Sequence, residues 1–252
     1  MTFRHRLRLL EVEIELTGDP LIGRAVLAGL GSFAAAAQAA VTATPDGWEV
    51  QVGAGSTVGE ILAELTRLAV ENSPLLCIHS GVVAAPHGTV VIPGTSGLGK
   101  TTLVGALVAA GFGYLSDEVL AVDRVGGGLA GFTRPLALAA DSWTLLGLDP
   151  AGAPGPAQEQ LVQPELLGRL GVPAPVREIL LAERRPGPPS LQQLARGTAV
   201  QATLGRSFNH FRDPAGSFHA VVRLIRQARV WRAGYQDAPE LAALLAAHWL
   251  AD

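Results

Sequence analysis

The most specific chemistry lies in eight consecutive residues near the middle of the chain. Gly94-Thr95-Ser96-Gly97-Leu98-Gly99-Lys100-Thr101 fits G-x-x-x-x-G-K-[ST] without a mismatch, the pattern of a loop that cradles phosphates. Glycines at 94, 97 and 99 let the backbone wrap closely and turn its N–H groups inward. The helix expected to follow adds partial positive charge at its N-terminus. Lys100 would place a mobile ammonium on the β- and γ-phosphates, and the Thr101 hydroxyl can ligate Mg²⁺. Thr102 completes the expected nucleotide-binding set, Gly94, Thr95, Ser96, Gly97, Leu98, Gly99, Lys100, Thr101 and Thr102. The bland alternative is a glycine-rich turn with an incidental lysine. Phosphoryl chemistry also needs a carboxylate near the metal. Asp117-Glu118 follows 17 residues after Lys100, and a short helix with a return strand would bring that pair back beside the loop. Neighbours on a strand point to opposite faces, so both acids reach the phosphate only at a strand end.

The elements that must position these groups are legible in the flanks. Val90-Val91-Ile92 is a short continuous apolar strand leading into the loop. The helix after the loop is expected to stop at Gly111, and GYLSDEVLAVD reads as a strand broken by the acidic pair. Leu75 to Val83 reads as a strand turning at Pro86-His87-Gly88 into the loop strand. Gly126-Gly127-Gly128 is expected to turn into a strand over 129–138, and residues 148–157 read as a Pro/Gly loop. Strands are expected over 177–183 and 230–235, and helices over 215–229 and 238–250. Before residue 75, residues 6–17 alternate around EVEIEL as one half-exposed strand, a helix is expected over about 20–39, GWEVQVG alternates again, and a Ser/Thr-capped helix begins near Val58.

Composition narrows the classes. The chain is 252 residues, 48% hydrophobic and 16% charged, with net charge −3, which excludes a disordered chain and argues against a generic nucleic-acid binder. Of its 19 basic residues only Lys100 is lysine. A single cysteine, Cys77, excludes an intrachain disulfide and a Cys-rich metal site, and fits a reducing compartment. No secretory h-region follows the N-terminus, so a cytoplasmic location is expected. Residues 25–45 carry no charge but are Ala-rich, so a buried helix followed by a strand is expected rather than a membrane span. His210, Arg212, Asp213 and His219 lack metal-ligand spacing and read as a loop entering a helix.

Three segments, CIHSGVV (77–83), VVIPGTSGLGKTTL (90–103) and AGFGYLSDEVLAV (110–122), together resemble the HPr serine kinase C-terminal-domain family, related to ATP-using phosphoenolpyruvate carboxykinases. Fainter similarity continues through FTRPLAL (132–138), PVREILLAERRPGP (175–188) and VWRAGY (230–235). The resemblance implies an α/β P-loop kinase core with a mixed sheet flanked by helices over 76–252. Residues 1–75 would be a small N-terminal α+β appendage, a candidate substrate-binding region. It also implies roles. Lys100 would bind phosphates, Thr101 would help hold Mg²⁺, Asp117 would accept the substrate hydroxyl proton, and Glu118 would be a metal-side acid where the bifunctional enzyme has Asp. His79 would lie near the transferred phosphate, and Arg134 would contact phosphate or substrate. Otherwise His79 reads as a hydrogen-bonded strand histidine, Arg134 as a side chain snorkelling at a sheet edge, and the acidic pair as the solvated start of a strand.

The Gly-rich signature of the bifunctional kinase/phosphorylase is not found downstream of the acidic pair, which argues against phosphorylase activity and against the bacterial phosphocarrier protein as substrate. The chain looks more similar to shorter kinases encoded with peptide natural-product pathways, among them enzymes that phosphorylate a serine near the end of a lasso-peptide precursor. The expected cofactors are ATP and Mg²⁺. The expected partner is a peptide or protein hydroxyl, with homo-oligomerisation left open. Two other readings stay open: a nucleotide-binding regulatory or scaffold protein with little turnover, and a small-molecule kinase.

Overall fold

The structure is a computed structural model that describes residues 3–31, 38–44, 47–53, 58–94, 99–130, 132–153, 155 and 158–250. It divides into two compact units, Met1–Leu75 and Leu76–Asp252.

In the first unit, β1 (Phe3–Leu9) and β2 (Val12–Gly18) pair antiparallel, followed by α1 (Pro20–Gly31), β3 (Gln38–Thr44), β4 (Gly47–Gly53) and α2 (Val58–Asn72). The strands form one sheet in the order β1-β2-β4-β3, with β2 and β4 parallel. Alternation buries Val12, Ile14 and Leu16, while Glu13 and Glu15 meet Arg8 and Arg6 on the solvent face. α2 buries Ile61, Leu62, Leu65, Leu68 and Ala69, a stripe at helical spacing. On its outer side Arg67 bridges Glu64 and Glu71 at 2.6 Å each.

Two expectations change here. The single strand expected over 6–17 is instead parts of both arms of a hairpin: the chain reverses at Leu10-Glu11, whose φ values of 50° and 68° match a two-residue type I′ turn. Neither residue is a usual turn former, so the reversal left no mark in the sequence. The helix expected to residue 39 stops at Gly31, and a strand occupies Gln38–Thr44. Propensity alone does not arbitrate an Ala/Val/Thr run. No described helix is long and apolar enough to cross a membrane.

The second unit is mixed α/β, with a large mixed sheet flanked by helices. In chain order it contains β5 (Leu76–Ala85), β6 (Gly88–Pro93), α3 (Lys100–Ala109), β7 (Gly113–Ser116), β8 (Val119–Val122) and β9 (Leu129–Ala130). Then come β10 (Leu136–Ala139), α4 (Ala140–Leu145), β11 (Glu159–Val162), β12 (Val176–Arg184) and β13 (Ser190–Leu194). It ends with α5 (Thr198–Leu204), α6 (Pro214–Gln227), β14 (Arg229–Tyr235) and α7 (Ala238–Trp249). Among the described residues the sheet runs β13-β14-β12-β6-β5-β8-β9, with β7 also on β5. β6, β12 and β14 are mutually parallel in that order, and the remaining pairings are antiparallel. β10 and β11 form a separate two-stranded ribbon.

Both faces of the sheet are covered, which is why the loop strand is apolar without alternation. Val90 and Ile92 pack with Leu103, Val104 and Leu107 of α3 and Leu241 and Leu245 of α7. Val91 points the other way, toward Val221, Leu224 and Ile225 of α6. α3 ends in a Schellman motif: Gly111 at φ +108° donates its N–H to Val108 O, and Phe112 donates to Leu107 O. Asp213 is the N-cap of α6, its carboxylate accepting from Gly216 N at 2.9 Å, and Pro214 is the first helical residue. The strand expected over 129–138 is two elements, β9 on the main sheet and β10 on the ribbon.

Candidate functional site

The site forms where β6 ends and α3 begins. Thr95, Ser96, Gly97 and Leu98 lie outside the described residues; Gly94, Gly99, Lys100, Thr101 and Thr102 are described. Gly94 follows β6, and its N–H donates to His79 O at 3.3 Å. Gly99 holds the N-cap position at φ 72° and ψ 19°, the left-handed region where glycine carries no Cβ penalty. It has no side chain to cap the first-turn N–H groups, so the N-terminus of α3 receives no cap from this position.

Lys100 and Thr101 turn toward the acidic pair. Lys100 is 8% exposed, and its Nζ donates to Asp117 O at 2.9 Å, leaving two ammonium protons for a ligand. Burial pushes the Lys100 ammonium below its ordinary pKa, while Glu118 and Asp117 pull it back up. Gly81 on β5 makes room for the lysine: a Cβ there would stand 2.5 Å from Val104 Cγ2 and 3.3 Å from Lys100 Cγ.

The acidic pair sits in a bend between β7 and β8, so the alternation of a strand does not apply to it. Ser116 makes this bend, its Oγ accepting from Glu118 N at 3.2 Å and Val119 N at 3.1 Å. β7 and β8 pair successively with the same edge of β5, with the bend facing the middle of that strand. Asp117 is 2% exposed. Tyr114 Oη lies 2.6 Å from Arg134 O, to which it donates, and 3.1 Å from Asp117 Oδ1. Desolvation raises the Asp117 pKa above the ordinary carboxylate value, and the charges of Arg134 and Lys100 oppose that rise. Thr101 also acts to lower the Asp117 pKa.

Glu118 lies between the His79 ring and the Arg134 guanidinium. Its carboxylate is 3.5 Å from His79 Nε2 and 4.0 Å from Arg134 Nη1. Both distances exceed the 2.7–2.9 Å typical of a charge-assisted hydrogen bond, so its oxygens keep lone pairs for another ligand. His79 Nε2 and Arg134 Nε are buried without a hydrogen-bond partner. Burial first, then Lys100, lowers the His79 pKa to about 4, so the ring is neutral near pH 7. Residues 206–208 run along β5 beside it: His79 N donates to Arg206 O, Phe208 N donates to Cys77 O, and the His79 and Phe208 ring centroids are 5.4 Å apart.

The residues singled out from sequence are therefore placed together: Lys100, Thr101, Asp117, Glu118, His79 and Arg134 surround one end of α3. Tyr114, Ser116 and Gly81 were missed. Ser116 had a signal, a serine immediately before two acids, which is a side-chain-capped turn pattern. Tyr114 and Gly81 had none, because their partners are chosen by strand pairing. His210 and Asp213 serve the loop and helix start: His210 Nδ1 is 2.7 Å from Ser207 Oγ, and Asp213 caps α6. Among the described residues no group of three His, Cys, Asp or Glu side chains is placed to hold a metal. Mg²⁺ asks for less, one or two carboxylates together with substrate phosphates. Thr101 and the under-used carboxylate of Glu118 fit that demand. Comparison with family models and with curated proteins finds no match for this chain.

Proposed function

We propose that the chain is a Mg·ATP-dependent phosphotransferase that moves a γ-phosphoryl group to a serine-type hydroxyl of a peptide or protein, in a cytoplasmic setting. One observation carries the reading: Lys100, Asp117, Glu118 and His79, drawn from three separate segments, converge beside the N-terminus of α3, where the N-cap residue is Gly99. The phosphate-loop pattern of 94–101 and the resemblance to HPr kinase-like enzymes favour a P-loop kinase core over other α/β architectures.

In this mechanism Lys100 and the first-turn N–H groups of α3 hold the donor phosphates and stabilise the charge that spreads over the γ-phosphoryl oxygens in the transition state. Asp117 orients the acceptor hydroxyl and takes its proton. The hydroxyl oxygen forms the new bond to the γ-phosphorus as the bond from that phosphorus to the β–γ bridging oxygen breaks, and ADP leaves with that electron pair. A raised pKa suits a carboxylate that must take up a proton near neutral pH. Neutral His79 and the Arg134 guanidinium present hydrogen-bonding atoms with no protein partner to the transferred group. Thr101 and Glu118 would hold Mg²⁺, which would supply charge neutralisation to the donor phosphates.

The test is co-expression with the peptides encoded beside the gene, followed by intact-mass measurement. The expected result is one added phosphate, or a ladder of them, on one peptide, abolished by Lys100→Ala. Phosphorylation of a metabolite and of no peptide would select the small-molecule kinase reading. Nucleotide binding without turnover on either would select the scaffold reading, in which His79 and Asp117 have no chemical task.

A further inference from the structure

β5 changes neighbours where the phosphate loop begins. β6 pairs with it only as far as Pro93, opposite Ser80. Past that point β8 holds one edge of β5, and residues 206–208 take the edge that β6 has left. Both backbone groups of His79 face this edge: its oxygen accepts from Gly94 N at 3.3 Å, and its N–H donates to Arg206 O at 2.8 Å. The first residue of the loop and Arg206 therefore meet at one strand residue. The antiparallel bridge between Ile78 and Ser207 sets the register, with Arg206 directly opposite His79 and Phe208 opposite Cys77. Side chains directly opposite one another across an antiparallel pair share a face, with Cβ atoms about 4.5–5.5 Å apart. Arg206 thus leaves the sheet on the face of the His79 ring, and the 5.4 Å between the His79 and Phe208 rings fits the same register.

We infer that Arg206 selects the acceptor: its guanidinium pairs with an anionic group, a carboxylate or a phosphate, that the acceptor carries close to the reacting hydroxyl. The inference rests on the phosphotransferase reading given above. Three observations carry it. The first is that Arg206 is available. Its side chain is exposed and has no hydrogen-bond or ion-pair partner among the described residues. The second is its position relative to the donor. Gly81 stands against the Lys100 stem, His79 lies two residues along β5, about 7 Å away, and Arg206 is across from His79. The transferred group, which meets His79 in the proposed mechanism, therefore lies between Arg206 and the lysine that holds the donor. The third is charge. Lys100, Arg134 and Arg206 each bring a positive charge within reach of the His79 ring. Lys100 serves the donor phosphates and Arg134 the transferred group, while Asp117 and Glu118 serve the proton and the metal. Arg206 has no such task, and the carboxylate nearest to it in its own segment, Asp213, is engaged in capping α6. A guanidinium fork matches carboxylate and phosphate oxygens two at a time, which makes an anion its fitting partner.

The experiment is steady-state transfer from Mg·ATP by the full chain to synthetic copies of the peptide that gains phosphate on co-expression. Three versions are compared: the peptide as encoded, a neutralised peptide with every Asp and Glu near the acceptor serine changed to Asn and Gln, and the neutralised peptide carrying one phosphoserine beside the acceptor. For the wild type, KM for the neutralised peptide is expected to be at least about tenfold above that of an anionic version, with kcat within about threefold. The anionic version that has the low KM identifies the anion as carboxylate or phosphate. Arg206→Ala is expected to raise KM for that version to the level of the neutralised peptide, while calorimetry shows Mg·ATP affinity within about twofold of wild type. Arg206→Lys, which keeps the charge and covers an alanine variant that does not fold, is expected to recover part of the preference. Equal KM values for all three peptides with the wild type would overturn the inference and leave the phosphotransferase reading standing. So would a folded Arg206→Ala that keeps the preference. A tenfold loss of kcat for every peptide at unchanged KM would overturn it too, since Arg206 would then act on the transferred phosphate. No transfer to any peptide removes the peptide-kinase reading together with this one.

Discussion

Asp117→Asn separates catalysis from structure, because the two roles predict opposite changes. Asp117 is almost fully buried, and desolvation raises its pKa in the folded chain despite the nearby Arg134 and Lys100 charges. The sign of the linkage follows. A group with a raised folded pKa contributes stability that is complete below its unfolded value, near 3.9, and is lost as pH rises through the folded value. Once pH has passed the folded value, ionised Asp117 therefore opposes folding, and a neutral isostere removes that cost. Little else is lost. Tyr114 Oη keeps its 2.6 Å bond to Arg134 O, and Lys100 Nζ bonds the backbone oxygen of residue 117. The remaining hydrogen-bond loss is bounded at about 0.5–1.5 kcal/mol, or roughly 1–6 °C at about 2–4 °C per kcal/mol. The variant is thus expected to melt within a few degrees of the wild type, with Tm(Asn) minus Tm(wild type) growing from pH 4 to pH 8. Its transfer rate is expected to fall by about 10²–10⁴-fold, roughly 2.7–5.4 kcal/mol of transition-state stabilisation. The assays are ligand-free thermal melts across pH and single-turnover phosphate transfer. A rate within tenfold of wild type would refute the general-base assignment, and a Tm more than about 10 °C lower at pH 8 would make Asp117 a structural carboxylate.

Lys100→Arg is expected to be nearly as damaging to transfer as Lys100→Ala, because the buried slot beside Gly81 suits a narrow ammonium stem better than a planar fork; retention of more than a tenth of wild-type transfer would contradict this. Gly81→Ala drives a Cβ to 2.5 Å from Val104 Cγ2, an overpacking cost of about 1–3 kcal/mol, and Val104→Ala in the same chain is expected to restore most of the lost Tm. Because the folded pKa of His79 is depressed to about 4, its stabilising contribution is present above pH 6.5 and lost as pH falls toward 4. Wild-type Tm should therefore drop more steeply than that of His79→Gln over that window, and identical slopes would mean the ring is not buried as a neutral base.

The loop pattern, the strand before it, the helix stop at Gly111 and the acidic pair were all legible because each is local. A phosphate loop needs its glycines and lysine in one run, and a Schellman stop needs only the residue that takes positive φ. The segment from Leu129 to Leu138 shows the limit. Its hydropathy supports a strand, but only long-range pairing divides it between the main sheet and a ribbon with Glu159–Val162. The hairpin at Leu10-Glu11 was hidden for a similar reason: residues with no turn preference adopt positive φ because the strands they join pair well.

By itself the sequence singled out the candidate residues of the proposed phosphate site: the glycine-rich run, the lone lysine at 100, the hydroxyl at 101 and the two acids at 117 and 118. Only the tertiary structure decided how they face one another. Whether Asp117 and Glu118 share a side depended on a bend held by Ser116 Oγ, since a regular strand would have sent them to opposite faces. Whether His79 and Arg134 join them depended on strand order and on the 116–134 segment returning past β5, contacts that no local pattern encodes. The protonation preferences of Lys100, Asp117 and His79 are likewise tertiary, because desolvation, their largest cause, exists only once the surrounding chain has closed over them.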